Sequence, residues 1–530
     1  MIQAGFRRPE DKLFSILLVL FFLIFGIIGI ANHEMWRDEL QAWMIARDSY
    51  SLTDLVRNLR YESHPGLWHL LLYFCTKLSR NPSTIQWLHL AISSLSVLMI
   101  ARHSPFSKLQ KILISFGYFI FYEYSIISRN YSIAVLLIFL LCILYSQRSR
   151  NLLVNFIILG LLANTNIYGW IISIAFIITY FLEFISKGIK AESYLDTRKI
   201  VFFLSGLGFY IFAATSSLML MLPPPDRGRG GEFIAHLELE RMLRTILIIW
   251  KGYIPIPKQS LHFWSTNFFL VNRPSLTDPN TVIATTIVFL ILLSTAVFLF
   301  NKSRNAFSIY TLGTFLILVF SYTKFQGYLR HHGNLFILFL ACVWIALVET
   351  KKPDRFSQKP PKIVLRLANF SFMLLLSTHL LSSAWSYYVD LFNPFTMSQE
   401  TAEYLKNQLN SDFSDSLIAG YRNSQTSTLS GLLDTQIYYP QNEDYASFVV
   451  WNKKNLRVME DLDIIGNVLN ECSEVDKNCI LVLSYKLDST LLQLCENGDN
   501  AYIKHLKSFE GSISREEFYI YELSHCKLDS

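Results

Sequence analysis

The feature that most constrains this chain is a succession of uncharged apolar runs close to the ~18–20 residues that span a bilayer. The first, Leu13 to Ile30, is followed within a few residues by Met35-Trp36-Arg37-Asp38-Glu39. Further runs are read at Thr84–Ala101, Ile112–Ile127, Tyr131–Tyr145, Leu152–Ala163, Ile167–Ile185, Ile200–Leu222, Val282–Phe300, Phe307–Tyr322, Gly333–Val348 and Val364–Trp385. The expectation is a polytopic α-helical membrane protein of about 11 spans. Composition agrees: 52% of residues are hydrophobic and 15% aromatic, a combination that soluble domains rarely reach. The formal charge of +6 is small and lies mostly between the runs. That distribution suits membrane topology and excludes nucleic acid as a partner. The first run is long and lacks a small-residue cleavage motif before Asn32-His33-Glu34, so it reads as a span rather than a cleaved signal.

Placing the N-terminus inside puts Arg7, Arg8 and Lys12 in the cytoplasm. The same choice puts Arg102/Lys108/Lys111, Arg148/Arg150, Lys187/Lys190/Arg198/Lys199, Lys302/Arg304 and Lys351/Lys352/Arg355/Lys359/Lys362 there. Every short basic loop then shares one side, as membrane insertion favours. The basic segment Pro223–Arg273 is the exception, and as a long outside segment it is exempt. The agreement requires that Gly66–Leu78 not cross, and a helix of that length reaches only ~20 Å against a ~30 Å core. With Ser51-Leu52-Thr53-Asp54 opening another short helix, residues 31–83 read as a platform of interfacial helices in the first outside loop.

After Trp385 the composition turns polar and mixed. Residues 1–392 are assigned to the membrane-embedded domain, and 393–530 to an extracytoplasmic α/β domain. Its expected strands are Ser416–Tyr421, Gln436–Tyr439, Ala446–Trp451, Cys479–Ser484 and Glu517–Leu523, with helices near Thr401–Leu409 and Leu456–Leu469. An odd number of spans puts this domain outside, where pairing among Cys472, Cys479, Cys495 and Cys526 is chemically reasonable. Three connectivities and unpaired thiols remain open.

With that topology, the outside ends of the spans carry carboxylates, arginines and histidines. Asp38, Glu39 and His64 lie in the first loop, and Glu123 with Ser128-Arg129-Asn130-Tyr131 at the next outward turn. Asn164-Thr165-Asn166 comes at the third, and Arg330-His331-His332 later. Ionisable groups at one membrane face suggest an anionic ligand with a base beside it. Each also has a plainer reading. Asp38 would cap a helix or pair with Arg37, and Glu39 would orient its neighbour or sit in water. His64 would end a helix, Arg129 snorkel to lipid phosphate with Glu123 as its partner, and Arg330-His331-His332 anchor the surface. Asn166 reads first as a turn residue, and Pro223–Gly231 as a flexible connector or a loop over the acceptor site.

Three elements together carry a resemblance. Asp38-Glu39 follows the first span, His64-Pro65-Gly66-Leu67 comes next, and Ser128-Arg129-Asn130-Tyr131 precedes an apolar run. This pattern resembles the GT-C glycosyltransferases, in the branch of the protein O-mannosyltransferases and lipid A aminoarabinose transferases. That family shows Asp-Glu, His-Pro-Pro-Leu and an Ala-Arg-x-Tyr turn. Here Gly66 replaces the second proline and Ser128 the alanine, and the match covers about the first 170 residues. The resemblance implies transfer of a sugar from a polyprenyl-phosphate donor to an acceptor hydroxyl at the outer face by inverting displacement. Asp38 is then the base, with Glu39 beside it, and Arg129 and Arg330 bind phosphate. His64, Glu123, Tyr131, His331 and His332 complete the substrate site. The acceptor is left open between glycan, lipid and protein, and so is the need for a divalent metal, which Glu39 binds in some relatives. Membrane lipids are expected partners. Two alternatives compete: a polysaccharide polymerase or ligase, and a lipid or solute transporter. A transporter would favour polar groups at the bilayer midplane, and Asn164–Asn166 is the segment most open to that reading.

Overall fold

The computed structural model describes residues 9–148, 151–190, 197–228, 233–234, 236–271, 273–349, 362–408, 415–489, 491 and 501–525. The helices before the central connector are α1 (Pro9–Asn32), α2 (Arg37–Arg47), α3 (Leu52–Asn58), α4 (Leu67–Thr76), α5 (Ser83–His103), α6 (Lys108–Ser115), α7 (Tyr131–Leu144), α8 (Leu152–Ala163), α9 (Ile167–Lys190) and α10 (Thr197–Met221). A π-helix, Tyr118–Ile126, lies between α6 and α7. Then come α11 (Leu239–Tyr253), α12 (Pro279–Lys302), α13 (Arg304–Thr323), α14 (Leu329–Glu349) and α15 (Lys362–Phe392).

Eight of these, α1, α5, α9, α10, α12, α13, α14 and α15, are long and apolar enough to cross a membrane. The expected runs at Ile112–Ile127, Tyr131–Tyr145 and Leu152–Ala163 are helical but shorter. The first is split between α6 and the π-helix, and the others form α7 (14 residues) and α8 (12 residues). Outward apolar side chains such as Phe289, Leu293 and Phe300 on α12 fit a lipid-facing surface. By contrast, α14 is almost wholly buried and packs on α7, α9, α11, α12, α13 and the π-helix. Gly333 permits that approach, because a Cβ there would lie 2.4 Å from both Phe119 and the Tyr124 hydroxyl.

Two opposite ends of the bundle differ in chemistry. At one, Arg148 joins Glu183 (2.8 Å) and Glu349 (2.9 Å), and Lys108 meets Asp11 (3.6 Å). At the other lie α2, α3 and α4. Helix α4 is 10 residues long and buries Trp68, His69 and Leu72. The Pro223–Arg273 segment, expected as an outside loop, contains α11, which buries Leu247, Ile248, Ile249, Trp250 and Tyr253 in the bundle.

The C-terminal unit adds α16 (Ser398–Gln408), β1 (Ser416–Tyr421), α17 (Asn423–Leu433), β2 (Ile437–Tyr439), β3 (Asp444–Ala446), α18 (Asp461–Val475), β4 (Asn478–Leu483), β5 (Ala501–Phe509) and β6 (Phe518–His525). These strands form one mixed sheet in the order β3-β2-β1-β4-β6-β5, with β1 parallel to β2 and β4. Alternation sorts its faces. Leu417, Ala419, Leu481 and Leu483 meet Ile464, Val468 and Leu469 of α18, while Ile418, Ile480 and Val482 meet Ala402, Leu405 and Leu429 of α16 and α17. Cys472 and Cys479 form a disulfide; Cys495 and Cys526 lie outside the described residues. Two expectations are corrected. The helix read at Leu456–Leu469 begins at Asp461, and the strand read at Ala446–Trp451 stops at Ala446. The residues after Ala446 bond to the membrane body instead, with Gln41 pairing both Val449 N–H (3.0 Å) and Val449 C=O (2.8 Å).

Candidate functional site

Helix α2 begins with Arg37-Asp38-Glu39 in its first turn, where the helix dipole favours carboxylates. The two acids point to different partners. Asp38 Oδ2 is ion-paired with Arg129 Nη1 and lies 3.5 Å from Arg330 Nη2, while its Oδ1 is 3.8 Å from Arg37 Nε. The Asp38 side chain is 27% exposed, against 9% and 11% for Arg129 and Arg330, so the carboxylate is more reachable than the two arginines that hold it. Burial alone would raise its pKa. Arg129, then Arg330 and Arg37, outweigh that and hold the carboxyl well below the usual range.

Glu39 is fully buried and accepts three bonds: from Trp36 N–H (3.1 Å), from Ser128 N–H (2.6 Å) and at His33 Nε2 (3.2 Å). It therefore fixes the turn that carries Arg129. The same turn is held by His89, whose Nε2 accepts from Arg129 N–H (3.2 Å), and by Asn130, which donates to Thr165 C=O (2.9 Å). His33 in turn reaches Asp390 at the end of α15 (2.9 Å), to which Tyr122 also donates (3.1 Å). Burial would lower His33, but Asp390 and then Glu39 raise it to about 10, so it is an imidazolium between two carboxylates.

Arg330 enters at the start of α14 after a turn in which Gly327 takes φ +76°. Its guanidinium lies 5.1 Å from the Trp36 ring, 5.3 Å from Trp264 and 4.8 Å from Tyr328, an aromatic surround that limits its hydration. His64 Nε2 is 3.5 Å from Arg129 Nη2; burial and then Arg129 push it down to about 4, so it is neutral at physiological pH. Glu123, expected in the substrate site and in its plainer reading a partner for Arg129, accepts from Tyr118 (2.9 Å) and Trp264 (3.2 Å). Tyr131 stacks on Tyr124 and edges onto His331. His331 Nδ1 accepts from Tyr328 N–H (2.8 Å), and His332 bonds the carbonyl of Gln326 (2.9 Å). Asn166 caps its own turn by accepting from Gly169 N–H (2.9 Å).

Asp38, Arg129, Arg330 and His64 thus converge. Tyr131, Glu123 and His331 pack around them, while Glu39 and His332 are occupied by backbone and buried partners. Sequence reasoning missed His33, Asp390 and Glu516, whose Oε1 lies 3.4 Å from Arg37 Nε; Arg37 itself was read as a partner for Asp38. It also missed Arg227, whose guanidinium bonds Ser63 beside His64. Among the described residues no group of three or more His, Cys, Asp or Glu is placed to hold a metal ion.

Fold and site together define a polytopic helical membrane protein with an arginine–carboxylate cluster at one end, closed over by a mixed α/β unit. No family model and no curated protein matches the chain. Among solved structures it is similar to ArnT from Cupriavidus metallidurans bound to undecaprenyl phosphate. The TM-score is 0.46 at 10% identity, covering 96% of this chain and 97% of that one. At that level of likeness no residue role is carried across.

Proposed function

We propose that this protein is an integral membrane glycosyltransferase. It moves a sugar from a polyprenyl-phosphate donor to an acceptor hydroxyl at the outer membrane face, by a single inverting displacement. The observation that carries this reading is the convergence of Arg129 and Arg330 on one oxygen of Asp38. Two guanidiniums this close form a ready phosphate site. Without donor, Asp38 fills that site and is a weak base. A donor phosphate takes over the two guanidiniums, and the released carboxylate regains basicity.

In the transfer step, the acceptor oxygen bonds to the anomeric carbon while the bond from that carbon to the phosphate oxygen breaks. Asp38 takes the hydroxyl proton, and the leaving phosphate keeps the electron pair against Arg129 and Arg330. Neutral His64 lies beside Arg129 as a further hydrogen-bonding group for the donor. Tyr131, Glu123 and His331 shape the wall, and Glu39 keeps the Arg129 turn in place. His332 supports the start of α14.

Asp38→Asn tests the reading. Transfer should fall by ~10²-fold or more, seen as lipid-linked sugar accumulating in cells that lack the protein and carry the variant. Labelled polyprenyl phosphate should bind the purified variant in nanodiscs as well as, or more tightly than, the wild type, because a competing carboxylate is gone. Near-normal transfer would remove Asp38 as the base.

A further inference from the structure

We infer that Glu516, from the turn between β5 and β6, is a positioning residue for transfer: it restrains Arg37 and so keeps Oδ1 of Asp38 open to the acceptor. The inference rests on the reading of Asp38 as base, and it makes the C-terminal unit part of the working site.

Oδ2 of Asp38 meets Arg129 and Arg330, whereas Oδ1 faces Arg37, a guanidinium that a donor phosphate held by the other two would not draw away. Arg37 Nε is nearer to Glu516 Oε1 (3.4 Å) than to Asp38 Oδ1 (3.8 Å). Glu516 Oε2 also accepts from Arg37 N–H (3.3 Å) at the head of α2 and from the Thr396 hydroxyl (3.2 Å). Its side chain is only 3% exposed. A buried carboxylate is costly unless paired; burial raises Glu516 to about 7, and Arg37 is the cation that opposes the rise.

The turn is built to hold that position. Arg515 sits at φ 62°, and Ser512 Oγ donates to Glu516 C=O (3.2 Å). Met397 N–H bonds Glu516 C=O (3.1 Å), Ile513 N–H bonds Pro394 C=O (3.0 Å), and Ser514 N–H bonds Phe395 C=O (2.9 Å). These bonds clamp the turn to the segment leaving α15. Without the Glu516 charge, Arg37 closes on Asp38 Oδ1, and the carboxylate that the donor phosphate releases is held by this guanidinium instead.

The test uses the full chain, with lipid-linked sugar accumulation in cells reporting transfer and labelled polyprenyl phosphate in nanodiscs reporting donor binding. Glu516→Gln keeps shape and should lower transfer roughly tenfold, with donor binding within about twofold of wild type. Adding Arg37→Gln should restore most of the transfer, because no guanidinium is left to restrain. If Glu516→Gln does not assemble, Glu516→Asp keeps the charge at shorter reach and should show a smaller loss, again relieved by Arg37→Gln. Wild-type transfer in the Glu516 variants, or a double variant no better than the single, overturns the inference. Asp38→Asn is the separating arm. If it retains transfer, the base reading itself has failed; if it is inactive while Glu516→Gln is normal, only the role of Glu516 falls.

Discussion

At the scale of single residues, the two arginines differ in a way that can be measured. Each should lose polyprenyl-phosphate binding roughly tenfold to a hundredfold on change to Ala, the equivalent of a ~1.5–3 kcal/mol charge-assisted bond. Lysine keeps charge but not the planar fork. Arg330 lies against Trp36, Trp264 and Tyr328, whereas among the described aromatic rings Arg129 approaches Trp36, at 5.7 Å. Arg330→Lys should therefore recover less binding than Arg129→Lys. Equal recovery in nanodisc titrations would mean that the aromatic surround does not orient the guanidinium, and unchanged binding in both Ala variants would place the phosphate elsewhere. Asp38, Arg129 and Arg330 were legible in the sequence because ionisable groups beside apolar runs stand out. The buried partners that Glu39 takes were not. Successive helical residues point about 100° apart, and only the folded turn shows which acid meets the arginines. His33 with Asp390 and Arg37 with Glu516 lie 357 and 479 positions apart, and no local pattern links such pairs.

At the scale of elements, the Glu39–His33–Asp390 chain ties α1, α2 and α15 together beneath the site. The charged neighbours of His33 are Glu39, Asp390 and Glu34. Its value is raised from 6.5 to about 10. The stability it supplies is thus complete below pH 6.5 and lost as pH rises through about 10. His33→Gln should cost about 3–5 kcal/mol near neutrality, as expected when one partner of a buried ion pair is removed. It should also flatten the decline in thermal stability toward pH 10. An equally steep decline in the variant would assign that alkaline loss to other groups. The apolar spans, α16 and four of the six strands were legible, since long runs and strict alternation leave few choices. Helix α17, Asn423–Leu433, was not. It is rich in Ser and Thr, which favour helices weakly, and packing against α2 and α16 stabilises it. Helix α11 was hidden by the proline- and glycine-rich stretch before it, and β5 by its scattered charges.

At the scale of the whole molecule, the arrangement makes one topological commitment on which the chemistry depends. The C-terminal unit meets the first-loop platform through Asp434 with Arg47 (2.9 Å) and Arg80 (2.8 Å), through Gln41 with Val449, and through Glu516 with Arg37. The site and this unit therefore share one end of the bundle, while Arg148, Glu183 and Glu349 mark the other. Among the described residues, Lys108 and Arg148 lie at that second end, with Ser303 between Lys302 and Arg304 bonded to Glu349 there, and the insertion bias leads us to expect this end in the cytoplasm. The Cys472–Cys479 disulfide suits an oxidising compartment for the first. A reporter fused after Ser530, or inserted beside Asp278 at the head of α12, should be active only outside the cytoplasm. One inserted near Lys190 should be active only inside. A cytoplasmic signal after Ser530 would turn the Asp38 cluster toward the cytoplasm and defeat outer-face transfer. If the signals at Ser530 and Asp278 disagreed, an odd number of crossings would separate them, and the alternation of spans from α12 to α15 would be wrong.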